Sequence, residues 1–487
     1  MSCLRRISRP AIGWSRRGLW SALGVLALAC AGARGAAAQT IDDAMAEAYR
    51  TNPQLLSARA QLRALDEGVP VALSGWRPTV SVGGSIGKAT DTLRARNDTG
   101  ATARQDLWRT PDSASLSITQ PLYRGGQTVA STSQAENNVQ AGRSALLSTE
   151  QQVLLQAATA FANLARDQAT LDLAISNVKV LQARLDETQA QFKVGEVTTT
   201  DVAQSRARLA QAQASQTQAE GSLASSRAAY EQVVGLPAPA HPVAAHLPPN
   251  LPGSLQTVEA GLRDNPDIVT ARYNEKAAAD AVDVVLGQKM PQVNLTGILQ
   301  RNTETGGGIS RGQQIDDATI ALTVTLPLYQ AGLTDAQARQ AKQIASQRKI
   351  DIETTSRQTV QTAQQNWSSF DSAQAQVKSF EVQVESTKVA FDGIEHEQRV
   401  GLRTVTEVLD AQQNLFTAQV NLVSAQRDTV VFAYQLVQSV GHLAAAELSL
   451  PVELYDPVKY YNATRERWYG TSIKDAAVPP PASGGRP

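Results

Sequence analysis

Apolar residues alternate with small polar ones in four short stretches of this chain. After Pro78, Val80, Val82 and Ile86 alternate with Ser81, Gly83 and Ser85, and before Pro121, Leu116 and Ile118 alternate with Ser115, Ser117 and Thr119. The pattern returns in Val293, Leu295 and Leu299, and again in Ile320, Leu322, Val324 and Leu326, set mostly among Thr and Asn. A period of two with one apolar face predicts half-buried strands at about 79–88, 113–121, 292–301 and 317–327. The polar stretches between them, Ala89 to Asp112 and Thr303 to Gln314, are expected to be hairpin loops. On pattern alone, a soluble sandwich with a solvated face is the weaker alternative to a membrane barrel, and it stays open because barrel strands give a weak signal.

The remaining segments read as helix. No proline occurs from Leu122 to Leu236 or from Leu328 to Leu450, and Gln, Ala, Ser and Thr crowd both stretches. Gln127 to Lys193 is 67 residues, about 100 Å of helix at 1.5 Å per residue. A helix of that length outruns any single-domain core, so it is expected to pack on its neighbours as a coiled-coil element.

The chain is a duplication. "TNPQLLSARAQ" at Thr51 returns as "DNPDIVTARYN" at Asp264, an offset of 213 that also carries Pro78 onto Pro291. "QPLYRGG" at Gln120 returns as "LPLYQAG" at Leu326 with an offset of 206, and that offset holds for Gly126/Gly332, Gly195/Gly401 and Gly235/Gly441. The first copy therefore carries seven extra residues between Pro78 and Pro121, which marks a surface loop. The division that follows is a first repeat over 39–235, a Pro-rich linker over 236–254, a second repeat over 255–450 and a C-terminal segment over 451–487. The tail "VPPPASGGRP" is expected to be disordered.

Each helical stretch is interrupted once by nearly the same phrase: "VGEVTTTDV" at Val194 and "VGLRTVTEV" at Val400. Gly195 and Gly401 suit the left-handed residue just past a helix end. Thr198-x-x-Asp201 and Thr404-x-x-Glu407 have capping-box spacing. Each phrase is thus predicted to turn between antiparallel helices, with tips at 194–201 and 400–407. Four strands cannot close a transmembrane barrel, which needs about eight. If the strands span a membrane, two or three chains must share one barrel.

Composition narrows the function. Residues 1–38 carry a basic start, an apolar run from Leu19 to Cys30 and a small-residue end at Ala36-Ala37-Ala38, the pattern of a cleavable secretory signal. A twin-arginine reading of Arg16-Arg17 and lipidation of Cys30 are weaker alternatives. Cys3 and Cys30 are the two cysteines of the sequence, so a chain processed before Gln39 has none. The balance of 45 basic against 45 acidic residues loses six arginines with that segment, and no basic stripe points to nucleic acid. After residue 38 no apolar run is long enough for a spanning helix. His241, His246, His396 and His442 are scattered, Asp316 and Asp317 fall in or beside an expected loop, and no Gly-rich phosphate loop appears. No catalytic residue, metal site or cofactor is expected.

Taken together, "NPQLLSARAQ", the "WRP" before the first strand, the duplicated "PLY..G", the two "VG" tips and "VLDAQ" after the second tip resemble the TolC-type outer-membrane factors of efflux pumps and type I secretion systems. The resemblance implies a mainly α chain with a transmembrane β-barrel part, assembled as a homotrimer. Its 12-stranded barrel in the outer-membrane lipid would continue into a 12-helix periplasmic α-barrel. It implies a passive exit duct joined by a periplasmic adaptor protein to an inner-membrane RND or ABC transporter. Val194, Gly195 and Val197 of the first tip, with Val400, Gly401 and Leu402 of the second, would then meet the adaptor. Thr200, Asp201, Arg403, Glu407 and Asp410 would line or hold a periplasmic entrance. Arg403 stands where the first copy has Val197, and Asp410 where it has Gln204. Arg403 reads equally as a tie to a neighbouring tip or as an i,i+4 partner of Glu407. Gln398 occupies a position where the family often carries tyrosine, which departs from a tyrosine-based gate. A trimeric coiled-coil adhesin on a small barrel is the competing class, but it would place strands at one end of the chain rather than twice.

Overall fold

The computed structural model describes residues 40–96, 100–306 and 313–473. The expected signal and the Pro-rich tail lie outside the described residues. Three helices open the chain: α1 (Ile41–Thr51), α2 (Pro53–Asp66) and α3 (Gly68–Leu73). Thr40 caps α1 in a full capping box with Asp43. Asn52 accepts a hydrogen bond from Gln54 N–H, and Pro53 begins α2, so one residue pair ends the first helix and starts the second.

Strands β1 (Thr79–Ile86), β2 (Ala89–Arg96) and β3 (Thr102–Arg124) follow, and then α4 (Gln127–Lys193) and α5 (Thr199–Val234). The second repeat has α6 (Leu255–Gly261), α7 (Pro266–Gly287), β4 (Gln292–Gly306), β5 (Gln313–Thr325), α8 (Leu333–Arg399) and α9 (Val405–Val440). A short α10 (Lys459–Thr464) lies near the end. The duplication is metric: α4 and α8 are both 67 residues long, and α5 and α9 are both 36.

All strand pairs are antiparallel, in the order β1-β3-β4-β5, with β2 pairing β3 beyond the end of β1. β3 and β4 join the two repeats along Arg109 to Arg124, with a register shift at Pro121, where a proline is tolerated. Among the described residues, β1 and β5 are the free edges of one chain's sheet. One sheet face carries Val80, Val82, Ile86, Ile118, Leu295, Leu299, Ile320, Leu322 and Val324, all exposed. A sheet with a bare apolar face requires another apolar phase against it.

Two expectations are corrected. Within the expected loop from Ala89 to Asp112, residues 89–96 form β2 and residues 102–112 the first half of β3. Thr90 faces Trp108 and Asp91 faces Leu107 there, and Arg109 pairs with Asp91 at 2.5 Å, so cross-strand partners extend the hairpin. Likewise β4 runs on to Gly306 and β5 starts at Gln313. Asp316 therefore sits in a strand, where Arg301 pairs with it at 2.6 Å.

The main core lies where the helix pairs meet α1 and α2. Tyr230 and Tyr434, one from each repeat, are fully buried there with Met45, Leu55, Phe161 and Leu164. α4 is covered far better than α8. Twenty residues of α4 are buried, among them Leu154, Phe161 and Leu185, against five of α8: Thr334, Ala338, Ala363, Phe370 and Ala373.

After α9 the chain climbs back along α1 to α3. Arg50 donates to Pro451 O. The Arg59 guanidinium lies between the rings of Tyr49 and Tyr455, at 4.5 and 5.1 Å. Tyr460 Oη donates to Glu67 at 2.8 Å, Arg465 to Glu136 at 3.0 Å, and Arg77 to Arg467 O at 2.7 Å. These contacts fasten the C-terminal strap just below the sheet.

Candidate functional site

The two tips are built by the same local chemistry. At the end of α4, Gly195 N–H donates to Phe192 O (3.1 Å) and Glu196 N–H to Gln191 O (3.0 Å). At the end of α8, Gly401 N–H donates to Gln398 O (3.0 Å) and Leu402 N–H to Glu397 O (2.9 Å). This bonding pattern turns the chain through a left-handed residue. Gly195 and Gly401 have φ of +81° and +80°, a region closed to most side chains, although the space around each is open.

The returning helices start with paired caps. Thr198 N–H donates to Asp201 Oδ2 (2.9 Å), and Asp201 N–H to Thr198 Oγ1 (3.3 Å). Thr404 and Glu407 repeat this at 2.8 and 3.3 Å. The backbone N–H of Thr404, followed by the Arg403 and Thr404 side chains, holds the Glu407 carboxyl below its usual range. Val194, Val400 and Leu402 are exposed, at 72%, 70% and 75%, while Val197 is half-buried. Each tip therefore offers bare backbone and unpacked aliphatic side chains at the farthest point from the sheet. Thr200 is exposed on the first turn of α5.

The copies differ in charge. Arg403 donates to Glu397 Oε2 (2.8 Å) and to Glu407 Oε1 (2.9 Å), bridging α8 and α9 of its own hairpin. Both bonds, Glu397 first, raise its pKa above the ordinary arginine value. Within one chain Arg403 is thus a partner of Glu407. Asp410 pairs with Arg208 of the other hairpin. Thr406 donates to Gln204 at 3.3 Å, and Arg184 pairs with Glu395 across α4 and α8. Behind these bonds Leu181, Leu185, Leu209, Ala212 and Leu409 form one apolar cluster, which packs the two hairpins together behind their tips. The Gln398 Oε1 atom is buried without a hydrogen-bond partner.

Sequence reasoning singled out Asp410 but missed Arg208 and Arg184, whose partners lie about 200 residues away with no motif to link them. Among the described residues no group of three or more His, Cys, Asp or Glu is placed to hold a metal ion. No described helix is long and apolar enough to cross a membrane.

Comparison with known proteins now decides the family. The outer membrane efflux protein family model matches residues 44–236 and 258–442, one match on each repeat. The chain belongs to the outer membrane efflux protein family. It is 31% identical over 446 residues to outer membrane efflux protein BepC of Brucella suis, covering 91% of this chain and 94% of that protein. It is 25% identical to outer membrane protein TolC of Vibrio cholerae, covering 84% and 92%. Among solved structures, the Campylobacter jejuni CmeC outer membrane channel shares the fold with a TM-score of 0.71 at 15% identity, over 88% and 89% of the two chains. As an outer membrane efflux protein, the chain places its sheet in the outer membrane and its helices in the periplasm. It acts as a passive channel for export.

Proposed function

We propose that three copies of this chain close one twelve-stranded barrel and one twelve-helix periplasmic tunnel, the exit duct of a tripartite efflux or type I secretion assembly. The observation that carries this reading is the open four-strand path β1-β3-β4-β5, with two free edges and a bare apolar face. A free edge in lipid leaves unpaired N–H and C=O groups, so closure with other copies is required. The bare length of α8 supports the same closure in the helical part.

Val194, Gly195, Val197, Val400, Gly401 and Leu402 form the docking surface for a periplasmic adaptor, which couples the duct to an inner-membrane transporter. Asp201, Thr200, Arg403, Glu407 and Asp410 form the entrance. Glu407 and Asp410 lie one turn apart on α9 and would ring the constriction as six carboxylates, favouring cations. Arg403 stiffens the second tip by joining Glu397 to Glu407, and Arg208 offsets part of the charge of Asp410.

Native mass measurement of the detergent-extracted protein tests the assembly. Three chains per particle are expected, and a well-folded monomer would overturn the shared barrel. Cross-linking from cysteine placed at Val194 or Leu402 in export-active cells tests docking. Capture of a periplasmic protein at the tips is expected, with no such product from a cysteine at Val180 on the helix shaft.

A further inference from the structure

The first hairpin continues well past the apolar band of the sheet. From Thr79↔Thr119 through Ile86↔Asp112, and on from Ala89↔Arg109 to Arg96↔Thr102, the partners keep one register. The break at residues 87–88 is bridged by Gly87 N–H donating to Pro111 O at 3.0 Å. Because the register is unbroken, even-numbered positions of both strands stay on one face.

Along that face the chemistry changes in order. Nearest the helices are Val80, Val82 and Ile86, opposite Ile118, Leu116 and Asp112. Farther out stands Trp108, opposite Thr90 and 68% exposed. Beyond it Arg94 lies directly opposite Arg104, with Arg96 two residues further on. Hydrocarbon, aromatic girdle and then cations is the order in which a barrel wall meets acyl chain, interface and headgroup phosphate. β3 runs from this ribbon back to α4, so the ribbon emerges on the cell-surface side. Arg94 and Arg104 lie four residues beyond the level of Trp108, about 13 Å along the strands.

Like charges directly opposite destabilise a strand pair. Arg104 is only partly offset by Asp106 at 3.4 Å, a carboxylate that also accepts from Thr92 at 2.6 Å. Arg96 donates to Gly100 O at 3.2 Å, and among the described residues Arg94 makes no ion pair. The opposite face is treated differently, since Arg109 there is bound by both Asp91 (2.5 Å) and Glu304 (2.6 Å). Beyond Trp108 the outward face holds Arg94, Arg96 and Arg104 against Asp106, a net cationic surface, while Lys88 and Asp112 lie on the helix side of the tryptophan.

We propose that this outward face of the β2–β3 ribbon binds the phosphate groups of the outer-leaflet glycolipid. Arg94, Arg104 and Arg96 donate to phosphate oxygens, and Trp108 lies at the boundary between acyl chains and headgroup. Guanidinium forks match phosphate bidentately, and a bound phosphate removes the repulsion between Arg94 and Arg104. The seven residues by which the first repeat exceeds the second fall in the segment containing this ribbon.

The test uses the full-length protein in detergent, with rough lipopolysaccharide, the same glycolipid enzymatically dephosphorylated, and phosphatidylglycerol as probes. Native mass spectrometry reads retained lipid and subunit number in one spectrum. The wild type is expected to retain the phosphorylated glycolipid about tenfold better than the dephosphorylated form, from three exposed charge contacts. The R94Q/R96Q/R104Q variant is expected to lose that preference, and R94K/R96K/R104K to keep most of it. Should the triple variant fail to assemble, R94Q/R104Q takes its place. Undiminished preference in the glutamine variant overturns the proposal. So does equal retention of the dephosphorylated glycolipid, or equal preference for phosphatidylglycerol, which would mean a general anion surface.

Discussion

Asp66 closes α2 fully buried, and neither carboxylate oxygen has a hydrogen-bond partner. Loss of solvent pushes its pKa up to about 6, against the opposing pull of Arg143. A carboxyl raised in this way costs nothing while protonated in both folded and unfolded chains. The stability it leaves intact in acid is lost as pH rises from the ordinary 3.8 through about 6. Asp66→Asn is therefore expected to exceed the wild type in stability near neutrality, by about 2 kcal/mol, with the gap closing below about pH 4. Heat dissociation of the assembly measured at both pH values checks this, and a gap independent of pH would assign the effect to packing. At the entrance, Asp410→Asn is expected to reduce cation selectivity in planar bilayers, whereas Arg208→Gln, by releasing the same carboxylate, should increase it. Arg403→Ser should raise resting conductance, because the bridge from Glu397 to Glu407 is lost. Conductance equal to the wild type would reduce Arg403 to a surface partner. The caps Thr198/Asp201 and Thr404/Glu407 were legible from spacing alone, since a capping box is local. Arg208 was not, because its partner is set by how two distant helices lie side by side.

At the scale of the element, each tip couples a positive-φ glycine to a capped helix start with empty space outside it. A Cβ added at Gly195 or Gly401 meets no neighbouring atom in the chain, so Gly195→Trp and Gly401→Trp are expected to cost about 1 kcal/mol of backbone strain at each turn. Assembly and membrane insertion are expected to persist while export is abolished. Normal export in the double variant would remove the docking role from these glycines. The helices and their turns were legible because proline is absent over long stretches and the signals that stop a helix are local. The strand ends were not. β2 is rich in Thr and charge, and its extension is held by cross-strand partners such as Arg109 with Asp91 and Glu304, which sequence alone cannot pair. The climbing C-terminal strap was also invisible, since Arg59 between Tyr49 and Tyr455 joins residues roughly 400 apart. Removing residues 459–487 deletes the bonds to Glu67, Glu136 and Arg77. That truncation should lower the dissociation temperature of the assembly, with a cost of about 3 kcal/mol per chain.

The whole molecule is unevenly finished. α4 is clothed by its own chain, but α8 leaves Ile344, Ile350, Val382 and Val389 exposed along a rod of equal length. Val382 and Val389 are seven residues apart and share one face. The V382E/V389E pair is expected to leave the helical content of the chain unchanged while lowering the fraction of complete assemblies, as read by native mass. Full assembly would show that this face meets only water. The bare rod also has a genetic meaning. In the proposed trimer, a chain damaged at its tips but sound along α8 would still enter assemblies with its normal sisters and spoil each one it enters. Tip lesions should therefore be dominant over the intact gene, whereas lesions along α8, which keep the damaged chain out, should be recessive.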